Sequence, residues 1–320
     1  MMKAILVSHF GGPEVLELKE TLIPQLRPAS VLIAVKAAGV NPVDTYLRAG
    51  SFGYQSNLPF IPGIDGAGII EEVGEGVSKF HKGQTVFFQG VLGSYAQYIV
   101  CPEDRVFELP QGFSFSQGAA IGSPYATAYH ALFQCAGAEA GQTVLVHGAS
   151  GGVGIAAVQW AKSRGLRVLA TAGTAKGKEL VLDVGAEKVF NHGEEGYVNK
   201  ILEYTQNQGI DIILEMLANK NLENDFSLLA NYGKILVIGS RGKIEIDPRN
   251  ILRKEVSVIG VNLFLASSSQ RKAIFAAIQA GLKNKSLWPI IRAEIPLEQA
   301  ALAHKMIMEG GATGKIVLII

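Results

Sequence analysis

The chain has 320 residues, a formal net charge of +1 and 48% hydrophobic residues, which suits two domains that each bury a core. No Lys/Arg run exceeds two residues and no apolar window approaches a membrane span, which excludes an electrostatic nucleic-acid footprint and a transmembrane helix. The apolar stretch at the N-terminus is too short for a signal peptide, and two cysteines, Cys101 and Cys135, make neither a disulfide framework nor a four-ligand zinc site, so a reducing cytoplasm is the expected compartment.

Residues 1–123 read as a β-rich domain. Strand-like runs at 3–8, 30–37, 68–73, 84–88 and 95–100 are separated by turns such as Gly11-Gly-Pro13 and Ile61-Pro-Gly63. The pattern changes at Ser116. An alanine-rich helical segment covers 117–135, and strands at 143–146, 167–171, 188–190, 211–214, 234–238 and 256–261 then alternate with helices. That alternation predicts an α/β fold with a doubly wound, six-stranded parallel sheet in a second domain at 124–266. A helix at 270–280 and a strand at 314–320 follow, and residues 267–320 are expected to return to the first domain.

The run Thr143-Val-Leu-Val-His-Gly-Ala-Ser-Gly-Gly-Val-Gly154 joins a β-branched strand to an apolar helical pattern through a glycine turn. Strand, glycine turn and helix present free backbone N–H groups to a pyrophosphate, and the strand at 166–171 completes the βαβ unit. The Rossmann fingerprint G-x-G-x-x-G appears here as Ala149-x-Gly151-x-x-Gly154. An NAD-preferring site places Asp or Glu after the second strand. This chain instead has Thr171-Ala-Gly-Thr-Ala-Lys-Gly-Lys178, without an acid, and so NADPH is the expected cofactor. Taken singly, Lys176 and Lys178 also suit the exposed first turn of the next helix.

The segments Gly39-Val-Asn-Pro42, Ala119-Ala-Ile-Gly122, Val146-His-Gly-Ala-Ser-Gly-Gly-Val-Gly154, Thr171-Ala-Gly-Thr174, Glu215-Met-Leu-Ala-Asn219, Gly239-Ser-Arg-Gly242 and Gly311-Ala-Thr-Gly-Lys315 carry a resemblance along the whole chain. Together they resemble the zeta-crystallin, or NADPH:quinone oxidoreductase, branch of the medium-chain dehydrogenase/reductases. The resemblance implies a GroES-like catalytic domain, a Rossmann domain and an active site in the cleft between them. It also implies transfer of reducing equivalents from NADPH to quinones, giving semiquinones. Zinc-dependent members carry a cysteine after the segment matching Gly39-Val-Asn-Pro42, a Gly-His-Glu motif near Gly63 and a four-cysteine lobe. Asp44 and Gly63-Ile-Asp65 stand here instead, the lobe cysteines are absent, the six histidines are scattered, and no metal is expected.

Carried over by motif, the resemblance places Tyr46 near the nicotinamide and Ser150, Gly151, Gly152 and Val153 at the pyrophosphate. Gly173 and His192 fall at the adenosine end. Asn221, Ile238, Gly239, Ser240, Arg241, Val261, Asn262 and Leu263 fall on the nicotinamide side. Asn262 stands where many relatives have threonine, and Asn221 also suits a helix N-cap. Quinone reduction needs a dry apolar slot and one or two donors, for which Asn41 and Tyr46 are the candidates. Asp44 reads more readily as a partner of the backbone than as a base. An NADPH-dependent enoyl or enone reductase, with a Tyr46-type proton donor, is the alternative activity. A cofactor-binding protein with little turnover is a third reading. The alternating run Val256-Ser-Val-Ile-Gly-Val261 is expected at a sheet edge, where a homodimer or homotetramer could form.

Overall fold

Apolar residues recur almost without a break through Ser30–Gly39, and the first unit is assembled on that strand. In the computed structural model, which describes all of residues 1–320, this unit comprises Met1–Ser123 and Pro289–Ile320, and the second comprises Pro124–Trp288. The chain begins with β1 (Met2–Leu6), β2 (Glu17–Thr21), β3 (Ser30–Gly39), β4 (Asp65–Val73), β5 (Thr85–Gln89), β6 (Tyr98–Pro102) and β7 (Val106–Glu108), with helices α1 (Pro42–Ala49) and α2 (Phe115–Ala119). β3 pairs antiparallel with β4 on one side and β6 on the other, and β5 and β7 continue the sheet beyond β4. Val31, Ile33, Val35, Ile70, Val86 and Phe88 fill the interior, each worth roughly 1.5–3 kcal/mol when removed from water. Sequence reading did not anticipate β2, β7 or α1. β2 is almost wholly solvent-facing and carries no alternating apolar signal.

The expected single helix at 117–135 is three pieces: α2, then α3 (Gly122–Tyr129), then a π-helical turn at His130–Cys135. Pro124 lacks the N–H that would bond the carbonyl of Ala120, so α2 does not continue unbroken into α3, whose first turn accommodates the proline. In the turn, the Ala136 N–H reaches back five residues to the Ala131 carbonyl.

The second unit contains β8 (Thr143–Val146), α4 (Gly152–Ser163), β9 (Arg167–Thr171), α5 (Ala175–Val184), β10 (Lys188–Phe190), α6 (Tyr197–Tyr204), β11 (Ile210–Glu215), α7 (Ala218–Leu228), β12 (Leu229–Val237), α8 (Arg249–Lys254), β13 (Ser257–Gly260) and α9 (Ser268–Lys283). Its six strands lie in the order β10-β9-β8-β11-β12-β13 and every pairing is parallel. This is the doubly wound sheet expected from the alternating pattern. All six carboxyl ends therefore share one edge, and the winding reverses between β8 and β11. Leu145, Leu169, Ile213 and Ile235 from four neighbouring strands pack in one buried cluster.

The second unit runs to Trp288 rather than ending at 266. α9 buries Ile274, Phe275, Ile278 and Leu282, and Gln134 Nε2 donates to the Gln270 carbonyl at 3.0 Å, which ties this helix to the start of the second unit. The return to the first unit consists of β14 (Ile291–Pro296), α10 (Ala300–Met306) and β15 (Lys315–Ile319). β15 pairs antiparallel with Ala37, Ala38 and Gly39 of β3.

Candidate active site

β8 delivers a buried Val146 to the glycine turn, where Gly148 takes the left-handed φ of +56°. Gly151 precedes α4 with extended backbone, and no side chain caps the helix. The N–H groups of Gly152, Val153 and Gly154 thus have no intrahelical acceptor and stand at the positive end of the helix dipole. A Cβ on Gly154 would lie 2.5 Å from Ala149 Cα, so glycine is required for α4 to approach the turn. This cradle fits a pyrophosphate. Ser150 is buried within the turn.

The Thr171 hydroxyl is buried, lying 3.1 Å from His147 Nδ1 and 3.4 Å from His192 Nδ1, and it accepts the Gly148 N–H at 3.2 Å. It holds the turn from beneath and is not offered to a ligand. Thr174 is the N-cap of α5, accepting from Gly177 N at 3.0 Å. Gly173 is exposed, with the His192 imidazole over it: a Cβ on Gly173 would meet His192 Nε2 at 2.8 Å. Lys176 is exposed and Lys178 half-buried on the first turn of α5.

The other expected contacts also follow strand ends. Ile238, Gly239, Ser240 and Arg241 follow β12, and Val261, Asn262 and Leu263 follow β13. Asn219 Oδ1 accepts the Arg241 N–H at 2.8 Å. The Asn262 side chain accepts from Phe264 N at 3.0 Å, so it caps the short turn after β13. Asn221 is not an N-cap. It lies inside α7 and donates from Nδ2 to both Glu215 oxygens, at 3.2 and 3.1 Å.

Where β8 and β11 part, the structure gathers three buried ionisable groups that sequence spacing could not reveal: His147, Glu215 and Asp225. His147 Nε2 lies 2.9 Å from Asp225 Oδ1 and 3.8 Å from Glu215 Oε2. Burial disfavours the His147 imidazolium, but the Asp225 carboxylate and its hydrogen bond, with Glu215 behind, outweigh this and raise its pKa. Burial raises Glu215 to about 7, with His147 opposing and Asp225 adding to the shift. Asp225 Oδ2 has no hydrogen-bond partner.

The remaining candidates, Asn41 and Tyr46, belong to the first unit. Asn41 is the N-cap of α1 in a reciprocal capping box with Asp44, whose Oδ2 accepts the Asn41 N–H at 2.7 Å. Asp44 thus serves the backbone, as expected, on a helix rather than a turn. Asn41 is only 5% exposed. Its Nδ2 donates to Asp65 Oδ2 at 2.9 Å, and its Oδ1 accepts from Lys315 Nζ. Both ends of the amide are therefore engaged inside the unit, and Asn41 is not an exposed donor. Burial pushes Asp44 up to about 7 and raises Asp65, and it lowers Lys315 against the pull of both carboxylates. Tyr95 OH bridges Asp44 and His304 at 3.4 and 3.1 Å, and Arg48 NH1 approaches His304 Nδ1 at 3.3 Å. Burial, then the Arg48 charge, holds His304 down at about 3, hence neutral. Tyr46 is half-buried, with its ring edge-on to Phe52 (5.0 Å) and tilted against Tyr54 (6.0 Å), so both aromatics contribute to one cluster.

This arrangement defines a nicotinamide-dependent oxidoreductase of the medium-chain dehydrogenase/reductase class. Two family models match, the alcohol dehydrogenase GroES-like domain over residues 27–111 and the zinc-binding dehydrogenase domain over 152–279. The quinone oxidoreductase of Homo sapiens is 50% identical over 100% of this chain and 98% of its own length. That of Pseudomonas aeruginosa is 30% identical over 100% of both chains. Among solved structures, the Pseudomonas syringae quinone oxidoreductase superposes with a TM-score of 0.90 at 27% identity, over 100% of both chains. A mycobacterial protein complexed with NADPH gives 0.92 at 28%, again over 100% of both chains. The chain belongs to the quinone oxidoreductase family.

Proposed function

We propose that this enzyme reduces quinones with NADPH, without a metal. The half-identity to a quinone oxidoreductase across the entire chain carries the substrate class. The absence of Asp or Glu from 171–178, the stretch where an NAD-preferring site carries its ribose-binding acid, supports the preference for a phosphorylated adenosine, because a carboxylate there would repel the 2′-phosphate. Ser150, Gly151, Gly152 and Val153 hold the pyrophosphate, and the residues after β12 and β13 face the nicotinamide side. When bound, the nicotinamide supplies the reducing equivalents. Tyr46, backed by Phe52 and Tyr54, stacks the flat acceptor, excludes water and offers its phenol to a quinone oxygen. Asn41 fixes the first turn of α1 beneath it. The products would be semiquinones, one from each of two quinones per NADPH consumed, with one proton released.

Steady-state assays test this reading directly. NADPH oxidation is expected with 9,10-phenanthrenequinone, at least about tenfold less efficient with NADH, and unchanged by chelators. Turnover of a 2-enoyl thioester but no quinone, or equal use of NADH, would overturn it.

The family edge strand gives a second expectation. β13 is the last strand of its sheet, with Val258 40% and the following Leu265 80% exposed. We infer that the chain assembles through this edge. Light scattering is expected to show a mass of at least two chains for the native protein and a smaller species for Val258→Lys; a monomeric native protein would contradict it.

A further inference from the structure

One hydroxyl proton at the base of the glycine turn has two possible destinations. Thr171 Oγ1 already accepts the Gly148 N–H, and it faces both His147 Nδ1 and His192 Nδ1. His147 Nε2 must carry a proton, because its partner there is the acceptor-only Asp225 carboxylate. Two complete hydrogen-bond patterns follow. If His147 is neutral, its Nδ1 accepts the Thr171 proton; His192 must then donate from Nδ1 to Thr171, which leaves His192 Nε2 a bare acceptor. If His147 is an imidazolium, its Nδ1–H donates to Thr171 and the hydroxyl proton turns to His192 Nδ1. His192 is then the Nε2–H tautomer, with its donor over Gly173 at the exposed strand end.

We propose that His147 is a positioning residue for the dinucleotide: held as an imidazolium between Asp225 and Glu215, it works through Thr171 to aim the His192 Nε2–H at the adenosine phosphate. The buried carboxylates on α7 and β11 favour the charged imidazole, and burial together with the His147 charge lowers His192, keeping it neutral. Glu215 titrates near 7 in the same cluster, and Tyr197 on α6 faces the two carboxylates. An anion at His192 needs the outward donor and therefore draws the proton onto His147. By linkage, affinity for the phosphorylated nucleotide falls as pH rises and His147 loses that proton. The chemical selectivity assigned to this site rests on the NADPH reading; the tautomer relay does not.

Nitrogen-15 NMR of the histidine rings in the full-length protein decides the relay itself. His192 is expected as the Nε2–H tautomer in the native protein, and to lose that preference in Thr171→Val but keep it in Thr171→Ser. An Nδ1–H His192 in the native protein, or no change in Thr171→Val, would overturn the proposal. Calorimetry with 2′,5′-ADP and 5′-ADP then reads the consequence. His147→Asn is expected to weaken 2′,5′-ADP about tenfold, the scale of one charge-assisted hydrogen bond, with a smaller change for 5′-ADP. Equal weakening of both ligands would reduce His147 to a structural support of the turn and overturn the proposal. A native protein that binds both equally would sink the NADPH reading while leaving the tautomer measurement to judge the relay.

Discussion

Lys315→Met is expected to destabilise the first unit by about 3–5 kcal/mol, the scale seen when one partner of a buried charge group is removed. Asp44, Asp65 and Lys315 are all buried, and Lys315 Nζ donates to the Asn41 amide that in turn donates to Asp65. Without the ammonium, two carboxylates remain in the interior with no cation facing them. The pH dependence has a definite sign. Both carboxyl pKa values are already raised, Asp44 to about 7, so the native state binds these protons more tightly than the unfolded chain does. Their contribution to stability therefore declines as pH rises toward that value. Removing the ammonium raises them further, and the deficit of Lys315→Met is expected to shrink as pH is lowered from about 7.5 to 5.5. Adding Asp65→Asn is expected to recover most of the loss at neutral pH. Denaturant titration of the three proteins at both pH values provides the measurement; a pH-independent loss below about 1 kcal/mol would place the cluster among weak surface-like pairs.

The parts legible in the sequence are those whose signal is local. β8, the glycine turn and α4 read directly from 143–154, because strand, turn and helix each have their own periodicity within a dozen residues. α1 was missed although its signal is equally local: Asn41 and Asp44 flanking Pro42 form a helix-start pattern of cap, proline and acid at the third position. The buried groups were not legible. His147 and Asp225 are 78 positions apart, and Asn41 and Lys315 are 274 apart, so only the sheet topology brings them together. Thr171 shows the same limit from the other side. Its place at the end of β9 was clear from the pattern, but whether its hydroxyl faced a ligand or the turn beneath depended on His147 and Gly148. Asn41 likewise read as a donor from its motif, and packing against Asp65 and Lys315 turned it inward.

Gly154→Ala is expected to weaken nicotinamide-dinucleotide binding by about 10–100-fold, matching about 1–3 kcal/mol of overpacking at the turn. The added methyl would lie 2.5 Å from Ala149 Cα and 2.7 Å from both its carbonyl carbon and oxygen. These are backbone atoms of the turn itself, so no rotamer change relieves the clash. α4 must move away from β8, or the turn must open. Either displacement takes the Gly152, Val153 and Gly154 N–H groups off their common focus, where the pyrophosphate charge would be stabilised. The strands themselves are untouched, since Val144, Leu145 and Val146 remain packed. Affinity is therefore expected to fall further than overall stability. Gly310→Ala is the matched control, because a Cβ there meets nothing within 4 Å. Fluorescence titration with NADPH should separate the two variants. Unchanged affinity in Gly154→Ala would mean that the turn is not the pyrophosphate cradle.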